Sequence, residues 1–158
     1  MGEGTSFRIH LPAYTQPAEA GATHRESTMP RGTGEWVLVV DDEAAVREIT
    51  RRTLEAHGYR VILATDGADA VGKVMGHPEE IAVVVMDMTM PVLDGPATIQ
   101  VLKHLKPKLP VIATSGRGAS QAGRDVEAAQ MLEKPFTAEA LLSALALVLS
   151  TAHGGDPP

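Results

Sequence analysis

Five residues with chemically active side chains follow short apolar runs along this chain: Asp41, Asp42, Asp87, Ser115 and Lys134. Carboxylates gathered at one place repel one another unless a cation holds them, and oxygen ligands suit Mg²⁺ or Mn²⁺. An ionised carboxylate in such a site can attack phosphorus without a base to activate it. The amine would neutralise a phosphoryl oxygen, and the hydroxyl could donate to another. These residue types therefore indicate metal-assisted phosphoryl transfer, provided that the fold brings them together.

The stretch 81–95, IAVVVMDMTMPVLDG, predicts where Asp87 lies. Its six leading apolar residues are typical of a strand that is buried on both faces of a parallel sheet. The strand cannot continue, because Pro91 lacks a backbone donor and Asp94-Gly95-Pro96 is typical of a turn before a helix. Asp87 is therefore predicted at the carboxyl end of a strand, where open α/β sheets bind ligands. A nucleophilic role also requires that its carboxylate reach solvent.

Apolar periodicity and helix caps predict four further strands and five helices. The strands are expected at 36–40, 60–64, 110–115 and 131–133, and the helices at about 44–57, 67–77, 95–106, 120–129 and 138–150. This alternation favours an α/β fold with a doubly wound, five-stranded parallel sheet and helices on both faces. In the flavodoxin-like strand order 2-1-3-4-5, the first and third strands are neighbours about 4.8 Å apart, so their terminal acids converge.

Two helix details are also predicted. On the first helix, Val46, Ile49 and Leu54 are expected to share one apolar stripe. Asp42 has a second possible role as the cap of that helix, and Asp66 can cap the second.

Composition narrows the class of protein. The 158 residues suffice for one domain with spare length at the ends, and 44% hydrophobic but only 3% aromatic residues predict an aliphatic core. A net charge of −6 argues against nucleic acid as a direct partner, and the absence of cysteine excludes disulfides. No uncharged run is long enough to span a bilayer. We therefore expect a cytoplasmic fragment without membrane contact.

The ends of the chain differ from the middle. Residues 1–12 alternate apolar and polar side chains as a strand does, and they resemble the last strand of the ATP-binding domain of sensor histidine kinases. A disordered tail is the alternative. Residues 13–34 are expected to form a flexible linker, 35–150 the domain, and 151–158 a disordered tail.

Four ordered motifs resemble the signatures of the receiver domain of two-component response regulators. They are VLVVDDE at 37–43, VVVMDMTMPVLDG at 83–95, PVIATSG at 110–116 and LEKPF at 132–136. The resemblance covers about 35–150. Together with the kinase-like strand, it implies the C-terminal receiver of a hybrid sensor histidine kinase; a stand-alone response regulator is the alternative.

The resemblance implies a role for each acid. Asp87 would be the phosphoacceptor, Asp42 a direct metal ligand, and Asp41 a ligand through water. The backbone carbonyl of Thr89 would be a further metal ligand. The side chain of Thr89, with Arg117, would flank the phosphoryl group and tune its hydrolysis.

The same resemblance implies roles for the later strand ends. Lys134 would pair with the phosphoryl group and precede a cis peptide at Pro135. Ser115 would be the switch hydroxyl, with neighbouring Thr114 as the alternative. Two departures concern the output of the signal: Met131 stands where the family usually has Tyr or Phe, and the segment between Ser115 and Lys134 is a few residues short.

The implied partner is the phosphohistidine domain of a histidine kinase, in cis or in trans, or a histidine phosphotransfer protein. The fragment would catalyse its own aspartyl phosphorylation and dephosphorylation. One alternative is a pseudo-receiver, an interaction module that does not turn over phosphate. Another is a phosphatase of the haloacid dehalogenase type, which expects a second Asp two residues after the first, where Thr89 stands.

Overall fold

The computed structural model describes residues 29–77, 79–91, 94–116 and 127–152. Within these ranges the chain forms five strands and four helices. In chain order they are β1 (Trp36–Val40), α1 (Ala44–Ala56), β2 (Arg60–Ala64), α2 (Gly67–Gly76), β3 (Ile81–Asp87), α3 (Gly95–Leu105), β4 (Val111–Ser115), β5 (Gln130–Glu133) and α4 (Ala138–Ala152).

The strands form one parallel sheet in the order β2-β1-β3-β4-β5, which confirms the predicted fold. Val40 of β1 lies opposite Met86 of β3, so the residues that follow, Asp41 and Asp87, end neighbouring strands at the same level. We call the side of the sheet where the strands end the carboxyl edge, and the side where they begin the amino edge.

Helices cover both faces of the sheet, because each central strand sends alternate side chains to opposite faces. One face packs against α2 and α3, and the other against α1 and α4. The first core contains Leu38, Val40, Val84, Met86, Ala70, Val74, Ile99 and Leu102; the second contains Val37, Val39, Val83, Val85, Leu54, Leu141, Leu142 and Leu145. Burial on both faces explains why β1 and β3 are continuous valine-rich runs.

Two aspartates start α2 and α3 in the same way. The Asp66 carboxylate accepts a hydrogen bond from the Asp69 amide, and the Asp94 carboxylate accepts one from the Ala97 amide, each at 2.9 Å. Each cap satisfies an amide that the first turn of a helix leaves without a partner. The prediction that Asp66 caps α2 is confirmed.

Two expectations about α1 are wrong. Its cap position is Glu43 rather than Asp42, and no side chain there makes a capping hydrogen bond. Ile49 is 66% exposed, whereas Thr50 and Leu54 are buried. Ile49 and Leu54 are five residues apart, so with 3.6 residues per turn they point about 140° away from each other.

The remaining differences concern the ends of elements. Of the expected helix at 120–129, residues 120–126 lie outside the described ranges, and residues 127–129 are not helical. The last helix continues to Ala152, two residues further than predicted. The expected strand at 1–12 lies outside the described residues. In the described ranges, no helix combines the length and the apolar character needed to cross a membrane.

At the amino edge, the segment before β1 lies against the turn between α1 and β2. The Gly32 amide donates to the His57 carbonyl at 2.9 Å, and a methyl group at Gly32 would come within 2.6 Å of the Tyr59 ring. Gly58, in that turn, has φ +88, a conformation that favours glycine. The segment just before β1 is therefore held against the domain.

Strand starts at the amino edge are covered by charged and aromatic side chains. The Arg60 guanidinium lies 5.6 Å from the centre of the Trp36 ring, as in a cation–π contact. Tyr59 is only 4% exposed, and burial, helped by the negative charge of Glu35, raises the pKa of its phenol. Gly34 and Trp36, which lead into the sheet, line the same cavity of about 390 Å³ as Ala152 at the end of α4.

Candidate functional site

Three acids meet at the carboxyl edge. Asp41 follows β1 and Asp87 ends β3, while Asp42 follows Asp41 in the chain. One carboxylate oxygen of each lies within 4.8 Å of the others. Asp41 and Asp87 are buried and Asp42 is exposed, so the group combines two held acids with one that faces solvent.

A lysine from the far side of the sheet bridges the two buried acids. Lys134 follows β5, and its Nζ lies 2.8 Å from Asp41 Oδ2 and 2.8 Å from Asp87 Oδ2. The Lys134 amide donates to the Ser115 carbonyl at 2.7 Å, and the peptide bond to Pro135 is cis. From the end of β5, the Lys134 amine thus reaches past β4 to the acids at the ends of β3 and β1.

The pKa of Lys134 reflects two opposing effects. Burial, the largest single effect, lowers it, but the hydrogen bonds to Asp41 and Asp87 and the negative charges of both acids together raise it more, so the net shift is upward. Lys134 therefore stays a cation between the two acids. This cation offsets much of the repulsion that the two carboxylates would otherwise suffer.

The second oxygens of the buried acids are held by backbone amides. Asp41 Oδ1 accepts from the Glu43 amide at 2.9 Å, and Asp87 Oδ1 accepts from the Thr89 amide at 3.0 Å. No group in the described ranges hydrogen-bonds to the carboxylate of Asp42. Three hard oxygen donors, one of them exposed and unpaired, are the donor set that Mg²⁺ prefers when it also keeps water ligands.

Asp87 is less accessible than the sequence led us to expect. Its side chain is 7% exposed, and the Lys134 side chain that contacts it is 25% exposed. Met88 and Met90, on either side of Thr89, are also buried. The Asp87 side chain therefore presents only a small surface to a reaction partner.

The two candidate switch hydroxyls at the end of β4 differ in their contacts. The Thr114 hydroxyl donates to the Met86 carbonyl at 3.4 Å, inside the sheet. Ser115 is 4% exposed, and nothing in the described part of the chain hydrogen-bonds to its hydroxyl. The Ser115 hydroxyl is therefore the one that is able to take a new partner.

The other predicted site residues lie around this centre. Thr89 is exposed, and its amide is the one that holds Asp87. Met131 is half-buried and packs against the core beneath α2 and α3, together with Ala128. Arg117 lies outside the described residues.

Sequence reasoning did not identify Arg47 as part of the site. From α1 its guanidinium donates to the backbone carbonyl of Asp41 at 2.5 Å, which holds the turn that carries two of the acids. A helix periodicity pattern does not reveal such a contact, because the partner lies before the helix. A groove of about 510 Å³ also opens beside Lys134, lined by Val46, Ile49, Thr50, Pro135 and Phe136.

Comparisons with known proteins agree with this architecture. The model of the response regulator receiver domain matches residues 37–146. Response regulator MprA of Mycobacterium sp. strain KMS is 38% identical over an alignment of 128 positions, which covers 77% of this chain and 55% of that protein. MprA of Mycolicibacterium vanbaalenii is 38% identical over 116 residues, 72% of this chain and 49% of that protein. The chain thus spans about half the length of these curated relatives.

Solved structures show the same fold. A receiver domain protein from Clostridium thermocellum superposes with a TM-score of 0.71 at 28% identity, covering 75% of this chain and 97% of that one. The chemotaxis protein CheY4 of Vibrio cholerae superposes with a TM-score of 0.65 at 30% identity, covering 73% of this chain and 98% of that one. In both cases nearly the whole of the solved chain corresponds to the domain described above.

Proposed function

This chain belongs to the response regulator receiver domain family, and from that premise we propose that it takes a phosphoryl group from a phosphohistidine onto Asp87. The observation that carries the proposal is the contact of Lys134 Nζ with both Asp41 and Asp87 at 2.8 Å. It places a cation within reach of the nucleophile, where the incoming phosphoryl oxygens would lie. Most of the catalysis of phosphoryl transfer comes from such positioning and charge neutralisation.

In the proposed reaction, a carboxylate oxygen of Asp87 forms a bond to phosphorus while the bond from phosphorus to the histidine nitrogen breaks. The bonding electron pair returns to the imidazole. Lys134 passes from an Asp87 oxygen to a phosphoryl oxygen, and the Ser115 hydroxyl, which has no partner among the described residues, donates to another. The product carries about two negative charges where one carboxylate stood, enough to draw in both groups.

We further propose that Asp41, Asp42 and Asp87, with the Thr89 carbonyl, hold Mg²⁺ or Mn²⁺. The ion would supply positive charge to the phosphoryl oxygens. The three acids fit this role because their oxygens are hard donors that converge, and because the exposed Asp42 carboxylate accepts no hydrogen bond from any described residue. Arg47 would keep the turn that bears Asp41 and Asp42 in place.

A histidine kinase or a histidine phosphotransfer protein is the proposed donor, and the groove beside Lys134 supports a protein in that role. The small exposed surface of Asp87 requires that a phosphohistidine be presented accurately, and the apolar side chains that line the groove beside Lys134 can seat the protein that presents it. The hybrid-kinase parent rests on the sequence of residues 1–12, whereas the curated relatives favour a response regulator parent.

Labelling with acetyl phosphate and Mg²⁺ tests the proposal directly. Mass spectrometry should show one added phosphate on the wild-type protein and none on Asp87→Asn. Asp94→Asn, which keeps a capping side chain at the start of α3, is the matched control and should be labelled. Phosphate that persists on Asp87→Asn would refute the assignment of the nucleophile.

An interaction module without phosphoryl transfer is the second candidate, favoured by the 7% exposure of the Asp87 side chain. In that function the acids would bind a cation, and the ion pair with Lys134 would keep Asp87 from reacting. Wild-type protein would then bind Mg²⁺ but gain no phosphate from acetyl phosphate. The same labelling experiment separates the two functions.

A further inference from the structure

The first turn of α3 lies directly against the backbone that carries Asp87. A methyl group at Gly95 would stand 2.6 Å from the Asp87 carbonyl oxygen and 2.6 Å from the Met88 Cα. Close-packed interiors do not accommodate such overlaps without movement. Since both nearest atoms belong to the backbone, a rotamer change cannot relieve them. Glycine at this position thus allows α3 to approach the end of β3 as closely as it does.

Contacts on both sides hold this junction. The Asp94 carboxylate caps α3 through the Ala97 amide at 2.9 Å, and the Asp94 carbonyl accepts from the buried Thr98 hydroxyl at 2.8 Å. On the opposite side, the Met88 amide donates to the Thr114 carbonyl of β4 at 2.9 Å. The Asp87–Met88 backbone is therefore held between the start of α3 and the end of β4.

We propose that the start of α3 positions the Asp87 carboxylate for reaction, with Gly95 as a positioning residue; this inference rests on the proposed phosphoryl transfer. Asp87 has little freedom to compensate for a backbone shift, because one carboxylate oxygen is held by the Thr89 amide and the other by Lys134. Displacement of a reacting atom by about 1 Å can slow a reaction about 100-fold. A methyl group at Gly95 requires that the start of α3 or the Asp87–Met88 backbone move, and the proposal is that part of this movement reaches the nucleophile.

Gly95→Ala is the first test, and Gly72→Ala is its matched control. Gly72 lies on α2, and a methyl group there would meet nothing within 4 Å. Acetyl phosphate with Mg²⁺ should label Gly72→Ala at the wild-type rate and Gly95→Ala at least tenfold more slowly per folded molecule. A rate for Gly95→Ala within twofold of wild type would overturn the inference.

The Met88 side chain provides an internal check. Its sulfur would lie 2.9 Å from the new methyl group, but a flexible side chain can move away. In the double variant Met88→Ala, Gly95→Ala, the backbone overlap remains, so labelling should stay slow. Recovery to the wild-type rate would show that side-chain crowding, and not displacement of the Asp87 backbone, was responsible.

A second pair of variants answers the question if Gly95→Ala does not fold. Asp94→Ala and Asp66→Ala each remove a cap with the same 2.9 Å contact, the first beside Asp87 and the second on α2. Both should lower the Tm by similar amounts, because each loses its cap; Asp66→Ala also loses a long contact of 3.4 Å from the Thr65 hydroxyl. Only Asp94→Ala should slow labelling, by about threefold or more, and Asp94→Asn should restore the rate. Equal labelling rates for the two alanine variants would contradict the positioning role.

These outcomes separate the inference from the proposed function. If wild type and Gly95→Ala are labelled at equal rates, the positioning role is rejected and the proposed phosphoryl transfer is not. Unlabelled wild type rejects phosphoryl transfer, and the Mg²⁺ affinity of Gly95→Ala then reports on the position of Asp87. An affinity at least threefold weaker than that of Gly72→Ala would support the positioning role, and an equal affinity would reject it.

Discussion

The two edges of the sheet arrange charge in opposite ways. At the amino edge, the guanidinium of Arg60 lies over the Trp36 ring, and the Glu35 carboxylate accepts two hydrogen bonds from Thr33. At the carboxyl edge, three carboxylates converge within 4.8 Å, and Lys134 contacts two of them. The groups at the amino edge attract one another, whereas the three carboxylates at the carboxyl edge repel one another.

This difference indicates which edge serves stability and which serves chemistry. Contacts at the amino edge favour the folded chain without any further partner. Burying two acids beside a third costs free energy that one lysine only partly offsets. Proteins keep such arrangements where function requires them. Variants at the amino edge should therefore change stability alone, and variants at the carboxyl edge should change reactivity.

The sharpest contrast comes from Lys134→Met. Removing the amine deletes the proposed partner of the phosphoryl oxygens, so labelling by acetyl phosphate should fall about 100-fold or more. The variant should also lose about 1–3 kcal/mol of unfolding free energy, because two buried acids lose their cation. Mg²⁺ should restore part of that stability. The time course of labelling gives the first effect, and urea unfolding with and without Mg²⁺ gives the second. A labelling rate near that of wild type would contradict the role of Lys134.

A variant in the groove tests whether the carboxyl edge also receives a protein donor. Ile49→Glu places a charge on the apolar rim, and it should slow transfer from a phosphorylated histidine phosphotransfer domain about tenfold. Labelling by acetyl phosphate should not change, because Ile49 does not touch the acids. Leu147→Glu is the control: Leu147 is 54% exposed, close to the 66% of Ile49, but lies on α4. If both variants slowed phosphoryl transfer equally, the groove would not be part of the interface with the donor.

At the amino edge, Gly58→Ala should affect stability alone. The residue has φ +88, and a methyl group would come 2.5 Å from the Gly32 carbonyl oxygen. The variant should lose about 1–2 kcal/mol of unfolding free energy. Its labelling rate per folded molecule should equal that of wild type. A slower rate would show that the two edges are coupled, and the division drawn above would not hold.

The smallest effect concerns the pH dependence of stability at Tyr59. Burial raises the pKa of this phenol, so the unfolded chain loses its proton first, near pH 10, while the folded chain keeps it. Unfolding free energy should therefore fall with rising pH above about 10, by at most about 1.4 kcal/mol per pH unit. Tyr59→Phe should lack this contribution, and Lys134 titrates alike in both proteins. Urea unfolding between pH 8 and 11 measures the difference; parallel curves would be inconsistent with a raised pKa.

Local signals in the sequence were sufficient for the fold and for much of the site. The valine-rich runs, the caps at Asp66 and Asp94, and the level ends of β1 and β3 follow from periodicity and backbone geometry. From these it was possible to infer that the acids at 41 and 87 would be neighbours.

Three other features depend on contacts that periodicity does not encode. The bond from Arg47 to the Asp41 carbonyl depends on how α1 is oriented, and the close approach of Gly95 depends on where α3 packs. The low exposure of the Asp87 side chain depends on how the elements around it pack, among them the segment that brings Lys134 into contact with it. Each arises only when separate elements have been assembled.

The cavity at the amino edge has a consequence for protein engineering. Because Gly34 and Ala152 line the same cavity, the described chain enters and leaves the domain at the amino edge, away from the acids. A fluorescent protein fused close to Gly34 or Ala152 would lie on the side of the sheet away from the acids, and a linker between these two positions would give a circular permutant. The domain can therefore be inserted into another polypeptide with its carboxyl edge left accessible.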